Sequence, residues 1–427
     1  MHGDFSNITF SPDRNYSTVF DLQGRVGLDA NRNEQTAILL HYLRTAMTDL
    51  VGPHAGPAAD LGFVVKDLAD LDFTIKGGRY YVDGILVHNP ADVAYTAQPH
   101  AFIDARGPDK LTGRRYLVYL KVWERHVTEV EDPALHEPAL GLHHPDSASR
   151  AQVVWQVRAH PLTGDEEPDT WLDAQRSADR TGALQVRATR EEGADDDPCT
   201  ALPGAAYTGE NQLYRVEIRS GGTAGEGAGF VWSRDNGSVI FPIRGCEKDT
   251  VQVTTLGRDW HTALEPGQWV EVVDDAVSTR RELGTPAPAA PLHRVEDIDL
   301  DTLTVTLATA PSPPGPERHP YLRRWDHVPP AKAPDGAVPI TEGPWIPLEH
   351  GIEIRFAPAP DGPAHQYRNG DYWTFPARRT LADVVWPHPQ GCPPHGVPYH
   401  YAPLALVTGS KVSPLLTSFA VPLSPGA

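Results

Sequence analysis

Cysteine is scarce in this chain of 427 residues. Cys199, Cys246 and Cys392 are its three, widely spaced, and no two form a Cys-x-x-Cys pair. That excludes a disulfide framework and a zinc ribbon, and it points to a reducing compartment with incidental thiols. Basic charge is also short. Lys and Arg total 37 against 56 Asp and Glu, a formal net charge of −19. A chain this acidic repels phosphate backbones, so nucleic acid is not an expected partner. Apolar runs are short too: none approaches the ~18–20 residues of a membrane helix, so no membrane insertion is expected. The opening Met-His-Gly-Asp-Phe-Ser lacks the basic region and apolar core of a signal peptide, which gives a cytoplasmic expectation. No GxSxG elbow, HExxH helix or GxxxxGK[ST] loop occurs.

What the chain has is proline and glycine, 42 and 37 residues. Both punctuate rather than extend regular structure, so many short strands joined by turns are expected instead of a helical bundle. The expected fold is mainly β: several small β-barrel or sandwich units, one long N-terminal helix and Pro-rich connections. The helix is read from about Arg32 to Leu50, with Asp29 or Asn31 as cap and Glu34 completing a capping box. Leu39, Tyr42, Leu43, Met47, Leu50 and Val51 recur at helical spacing as one apolar stripe, and Gly52-Pro53 ends it. That stripe needs a cover, either the meander around Phe73 and Tyr81 or a neighbouring subunit.

Five segments are expected in series. Residues 1–110 hold the helix and a β-meander with turns at Gly77-Gly78 and Asp83-Gly84. Residues 111–206 carry strands at Tyr116 to Trp123 and Gln152 to Arg158. An exposed acidic connection follows, with eleven Asp and Glu between Thr163 and Gly204 and a short helix near Trp171. Residues 207–310 read as a small barrel or sandwich. Within it Tyr214, Val216 and Ile218 alternate with Arg215, Glu217 and Arg219 as a half-buried strand, and Asp235-Asn236-Gly237 joins a hairpin. Residues 311–347 hold eleven prolines, too many for regular structure, so an extended arm is expected. Its Tyr321, Trp325 and Trp345 imply that it lies against a surface, of its own chain or of a neighbour. Residues 348–427 form a C-terminal β unit.

Candidate chemistry is thin. Cys392, His395 and His400 have metal-ligand spacing in a Pro-rich loop, and His136, Glu137, His143 and His144 cluster in another. Asp297, Asp299 and Asp301 open like a calcium loop, but Thr302 stands where glycine is needed and Ala308 where a bidentate Glu is needed. Gly225 to Gly229 is a loose match to a phosphate loop that precedes a strand, so it reads as a hairpin connection. Asp274-Asp275 and Glu129 with Glu131 are carboxylate pairs open to acid–base work or to chance. Trp123, Trp155, Trp232, Trp269, Trp325 and Trp373 either line a sugar groove or pack the core. No catalytic residue, cofactor site or metal ligand is assigned, and the chain is not read as an enzyme.

Several segments together resemble a known family. They are Gly3-Asp4-Phe5-Ser6, Gln23-Gly24-Arg25-Val26-Gly27-Leu28-Asp29-Ala30, Gly78-Arg79-Tyr80-Tyr81-Val82-Asp83-Gly84 and Tyr119-Leu120-Lys121-Val122-Trp123. Further on stand Gln212-Leu213-Tyr214-Arg215-Val216-Glu217-Ile218, Trp232-Ser233-Arg234-Asp235-Asn236-Gly237, Asn369-Gly370-Asp371-Tyr372-Trp373 and His400-Tyr401-Ala402-Pro403-Leu404. The chain resembles an uncharacterised bacterial domain family associated with phage-tail-like contractile injection systems. The resemblance implies a structural component of a baseplate or tail-fibre assembly. Its partners would be other particle proteins and copies of itself, a trimer by analogy with tail fibres, in a particle that is assembled in the cytoplasm and released. The alternative is a carbohydrate- or cell-surface-binding module, including a glycan hydrolase.

Overall fold

The computed structural model describes the chain apart from residues 70–71, 105–110, 112–114, 142–146, 177–179, 191–204, 280–290, 332, 334, 360–362 and 421–427. The fold is mainly β, with several sheets, one closed barrel and a single long helix. The chain forms two compact units, each assembled from separated stretches. Residues 9–125, 151–178 and 398–427 make one, and 1–8, 126–150 and 179–397 the other. The serial partition at 110, 206, 310 and 347 gives way to this interleaving. The reason is pairing over long distances. The strand His400–Thr408 runs antiparallel to Arg115–Val127, with His400 opposite Val122 and Thr408 opposite Arg115. Likewise Ile352–Phe356 pairs with Leu184–Ala188, inside the stretch expected to be an exposed acidic connection.

The first unit carries helix α1, Asp29–Val51. It begins three residues earlier than expected. Leu28 occupies the cap position with no side-chain cap, so the capping-box assignment is corrected: Asp29 and Asn31 lie in the first turn, where Asp29 faces the positive end of the helix dipole. Gly52 ends the helix at φ +86°, its N–H donating to the Thr48 carbonyl. The helix packs on the Asp83-Gly84 hairpin turn. Both turn residues have positive φ, +47° and +75°, as a tight hairpin requires. A Cβ on Gly84 would lie 2.2 Å from the Arg44 carbonyl oxygen, so only glycine admits the helix there. Arg44 then donates from both terminal nitrogens to the Glu124 carboxylate, at 3.0 and 2.8 Å. The core beneath includes Phe63, Tyr80, Val87, Leu120, Trp155 and Leu404. Most of the expected stripe is left uncovered by the described elements: Leu39, Tyr42, Leu43 and Leu50 are exposed, Met47 and Val51 are half-buried, and Ala30 and Ile38 are the buried helix residues. The mixed polar face through Glu34, Ile38, Arg44 and Thr48 turns inward instead, drawn by the Arg44 ion pair and the Gly84 approach.

The second unit contains a five-stranded antiparallel sheet and the barrel. In the sheet the order is Val338–Pro339, Gly229–Ser233, Gln212–Ser220, Tyr372–Arg378, Asp383–Val384. The barrel closes through Ile240–Glu247, Thr250–Val253, Thr304–Leu307, Leu292–Asp299, Trp269–Val273 and Tyr321–Trp325. It is thus shifted along the chain from the expected 207–310. Asn236 and Gly237 do adopt the left-handed conformation of a hairpin turn, φ +51° and +66°. The strands on either side do not pair with each other, because one enters the sheet and the other the barrel.

The expected Pro-rich arm supplies the closing strand. Tyr321–Trp325 is buried at all five positions and pairs on both edges, with Ile240–Pro242 and with Trp269–Val273. The prolines of 311–347 flank this proline-free pentapeptide rather than interrupt it, so no ladder N–H is lost. Trp325 is fully buried within its own chain, and Arg187 lies over the half-buried Trp345 ring at 4.0 Å. Of the two surfaces open to these tryptophans, the chain's own receives them.

Candidate functional site

The strand Gln212–Ser220 builds a charged centre inside the second unit. Arg215, Glu217 and Arg219 fall on one face by the two-residue period of a strand. They were expected to face solvent, yet Arg215 is 1% exposed and Glu217 2%. The face is covered by residues of the barrel strands and by the first six residues of the chain. Arg215 donates to Glu217 at 2.7 Å and to Asn236 Oδ1 at 3.1 Å, and its guanidinium lies 3.6 Å from the centre of the Tyr372 ring. Arg219 pairs with Glu271 of the strand Trp269–Val273. Arg323 of the closing strand donates to the other Glu271 oxygen at 3.0 Å and to the Tyr321 hydroxyl at 3.0 Å. Burial by itself would raise the Glu271 pKa, but the positive charges of Arg219 and Arg323 outweigh it and hold the carboxyl below its ordinary value.

The N-terminal segment docks onto this centre. His2 Nε2 stands 2.8 Å from Glu217 Oε2, and the imidazole meets the Trp325 ring edge-on at 6.1 Å. Asn236 Nδ2 donates to the Met1 and Gly3 carbonyls, at 3.3 and 3.0 Å, and the Asn236 carbonyl accepts from Gly3 N–H. A Cβ on Gly237 would come within 2.6 Å of the His2 ring. The Asn-Gly pair therefore serves the strap twice, through the amide side chain and through the missing one. Further along, Arg378 donates to the Ser6 carbonyl at 2.7 Å.

A second group of charges adjoins Arg324. It donates to the carbonyls of His261 and Ala263, at 3.0 and 2.8 Å, and faces Asp326 at 3.2 Å. Arg234 binds Glu349 through two nitrogens, each at 2.8 Å, and Tyr214 donates to the same carboxylate at 2.8 Å. Asp371 pairs with Arg180 at 2.9 Å, but its burial outweighs that cation and raises its pKa to about 6.

The residues singled out from sequence lie elsewhere. The Cys392 carbonyl accepts from Leu184 N–H and from Trp373 Nε1, and burial pushes its thiol up to about 11. His395 exchanges backbone hydrogen bonds with Tyr372 in the second unit, whereas His400 belongs to the first unit, where its Nδ1 lies 2.8 Å from Oδ2 of Asp83 of that same unit. Among the described residues no three His, Cys, Asp or Glu side chains gather as metal ligands. His136 ends the short helical turn Pro133–Leu135, Glu137 caps the next one, Pro138–Leu140, by accepting from Ala139 N–H, and His143 and His144 lie outside the described residues. Asp299 caps its own hairpin, accepting from Asp301 and Thr302 N–H, so the Asp297, Asp299, Asp301 series is turn chemistry. The Gly225 to Gly229 segment lies in the connection between the paired strands Gln212–Ser220 and Gly229–Ser233, as expected of a hairpin, with Thr223 donating to Glu226. Asp274 caps the helix Asp275–Thr279, Asp275 meets His319 at 2.8 Å, and Glu131 accepts from Thr128. Trp123, Trp155, Trp232, Trp325 and Trp373 are buried in the cores. The sequence reading missed the ionic centre and also Trp260, which is 79% exposed on the loop after Gly257. The available signal for the centre was charge of opposite sign at two-residue spacing, Arg215, Glu217, Arg219, together with adjacent Arg323 and Arg324 between apolar neighbours.

A family of unknown function, DUF6519, matches residues 1–189 and 171–396, and the chain belongs to that family. No curated protein and no solved structure matches it.

Proposed function

We propose that this member of the family is a structural component of a phage-tail-like contractile injection system, a part of its baseplate or tail-fibre assembly. The observation that carries the reading is how the segments behind the resemblance are used. Gly3, Arg215, Glu217, Asn236 and Tyr372, one or more from each of four such segments, meet one another in a buried ionic and hydrogen-bonded framework. Buried, paired charges fix one arrangement of the parts, because removing either partner leaves a costly unpaired ion. A rigid body with its polar groups consumed internally suits a load-transmitting part of a particle. Recovery of the native assembly through a tag on this chain, followed by electron microscopy, tests the reading. Tail-like tubes or baseplates bearing the tag are the expected result, and a tagged chain recovered without any particle overturns it.

One observation favours a second reading, a carbohydrate- or cell-surface-binding module. Trp260 presents its ring to solvent on a loop pinned by Asp259, which accepts from His261 and Thr262 N–H. An exposed indole face is a stacking platform for a sugar ring. Retention on a bacterial cell-wall glycan matrix that Trp260→Ala abolishes would support it.

A further inference from the structure

We infer that residues 16–50 form the interface between two copies of this chain, in which the lead-in segment of one copy lies on the helix face of the other. Two apolar surfaces support this, and both stand open in the isolated chain. The first is the segment before α1. Tyr16, Phe20, Leu22, Val26 and Leu28 are all exposed, Phe20 by 80% and Val26 by 84%. They occupy even positions, with Ser17, Val19, Asp21, Gln23, Arg25 and Gly27 at the odd positions between them. The chain turns within this segment, where Arg25 N–H donates to the Leu22 carbonyl and Gly24 has φ +69°, so Tyr16, Phe20 and Leu22 precede the turn and Val26 and Leu28 follow it. The segment belongs to no sheet, and it is held by Thr18 and Val19, which both donate to Gln35 Oε1.

The second surface is the outer face of α1. Leu39, Tyr42 and Leu43 lie there, and Leu50 is 82% exposed at its end. Segment and helix are consecutive in sequence, yet neither covers the other. Ten large apolar side chains between Tyr16 and Leu50 are exposed. At roughly 150–250 Å² for a large side chain, more than half open on average, they present on the order of 1,000 Å². The largest apolar patch of an ordinary monomer is about 300–600 Å². A stable interface needs about 800 Å² from each partner.

The occupant follows from the pairing of the two surfaces. One rotation that lays the segment of each copy on the helix of the other covers both patches twice over, and such a two-fold contact closes on itself. Each copy carries both an apolar segment and an apolar helix face, so a second copy supplies both halves of the contact, whereas a foreign partner would have to match two surfaces. The inference stands on residues 16–50 alone and holds whichever assembly the protein serves.

Light scattering on the pure full-length protein across a wide concentration series tests it. The wild type should reach the mass of at least two chains. Phe20→Asp with Val26→Asp, and separately Leu43→Asp with Leu50→Asp, should each return to the mass of one chain while melting as the wild type does. These positions are exposed, so the variants should fold. Mixing the two variants should restore association, because the intact helix of the first receives the intact segment of the second. A wild type of single-chain mass throughout overturns the inference. So does undiminished association of either variant, and so does a mixture that fails to associate.

Discussion

The His2 imidazole lies 2.8 Å from the Glu217 carboxylate, and through it the first residues of the chain reach the middle strand of the five-stranded sheet. Burial, then the nearby positive charges of Arg215 and Arg323, holds the imidazole well below its ordinary pKa. The ring is therefore neutral near pH 7, and Nε2–H donates to the carboxylate. Glu217 in turn neutralises Arg215, which grips the same strap through the Met1 carbonyl and Asn236.

This arrangement ranks two substitutions. Glu217→Gln leaves the buried Arg215 without its anion and should cost about 3–5 kcal/mol. His2→Ala removes a hydrogen bond from a carboxylate that still faces arginine and should cost about 1 kcal/mol. Urea denaturation of both variants measures the order, and a Glu217→Gln protein as stable as His2→Ala would show that the strap, not the ion pair, holds the centre.

Acid should loosen the second unit through His327. This side chain is 2% exposed, and burial, only partly offset by its bond to the Gly336 carbonyl, lowers its pKa to about 4. The unfolded chain binds the proton near the ordinary 6.5. Stability from this group is complete above pH 6.5 and is lost as pH falls toward 4, a swing on the order of 3 kcal/mol. His327→Gln keeps a donor and cannot titrate, so its urea midpoint should vary less between pH 7 and pH 4 than that of the wild type.

Asp371 acts in the opposite sense. Its pKa rises from 3.8 to about 6, with burial the leading cause. Its contribution is present below pH 3.8 and is lost as pH rises through 6, by on the order of 2–3 kcal/mol. Asp371→Asn should remove this loss, so the stability of the variant relative to the wild type should rise between pH 4 and pH 8. Equal slopes for variant and wild type would assign the alkaline loss to other groups.

The two tryptophans of the Pro-rich stretch should behave differently. Trp325→Ala empties a fully buried site at the barrel seam and should cost about 3–5 kcal/mol. Trp345→Ala removes a ring stacked by Arg187 at 4.0 Å and should cost about 0.5–2 kcal/mol. Thermal melting of each variant distinguishes them, and equal losses would place Trp345 in the core as well.

Local chemistry made much of the backbone legible. Asp83-Gly84 and Asn236-Gly237 demand left-handed turns, Gly52 stops a helix, and short β-prone runs between Pro and Gly become strands. Those are properties of single residues and their neighbours, so the sequence determines a mainly β chain with one long helix. It does not determine which strand pairs with which, because pairing partners such as His400–Thr408 and Arg115–Val127 stand far apart and many β-prone segments fit one another. The partition into units, and the recruitment of Tyr321–Trp325 from a proline-rich stretch to close a barrel, were decided by tertiary structure. So was the solvent side of α1: periodicity in Leu39, Leu43 and Leu50 announces an apolar face but not what it meets. The ionic centre was hidden for the same reason. Alternating Arg215, Glu217 and Arg219 look like a wet strand face, and only three-dimensional packing brings Glu271, Arg323 and His2 close enough to make their burial affordable.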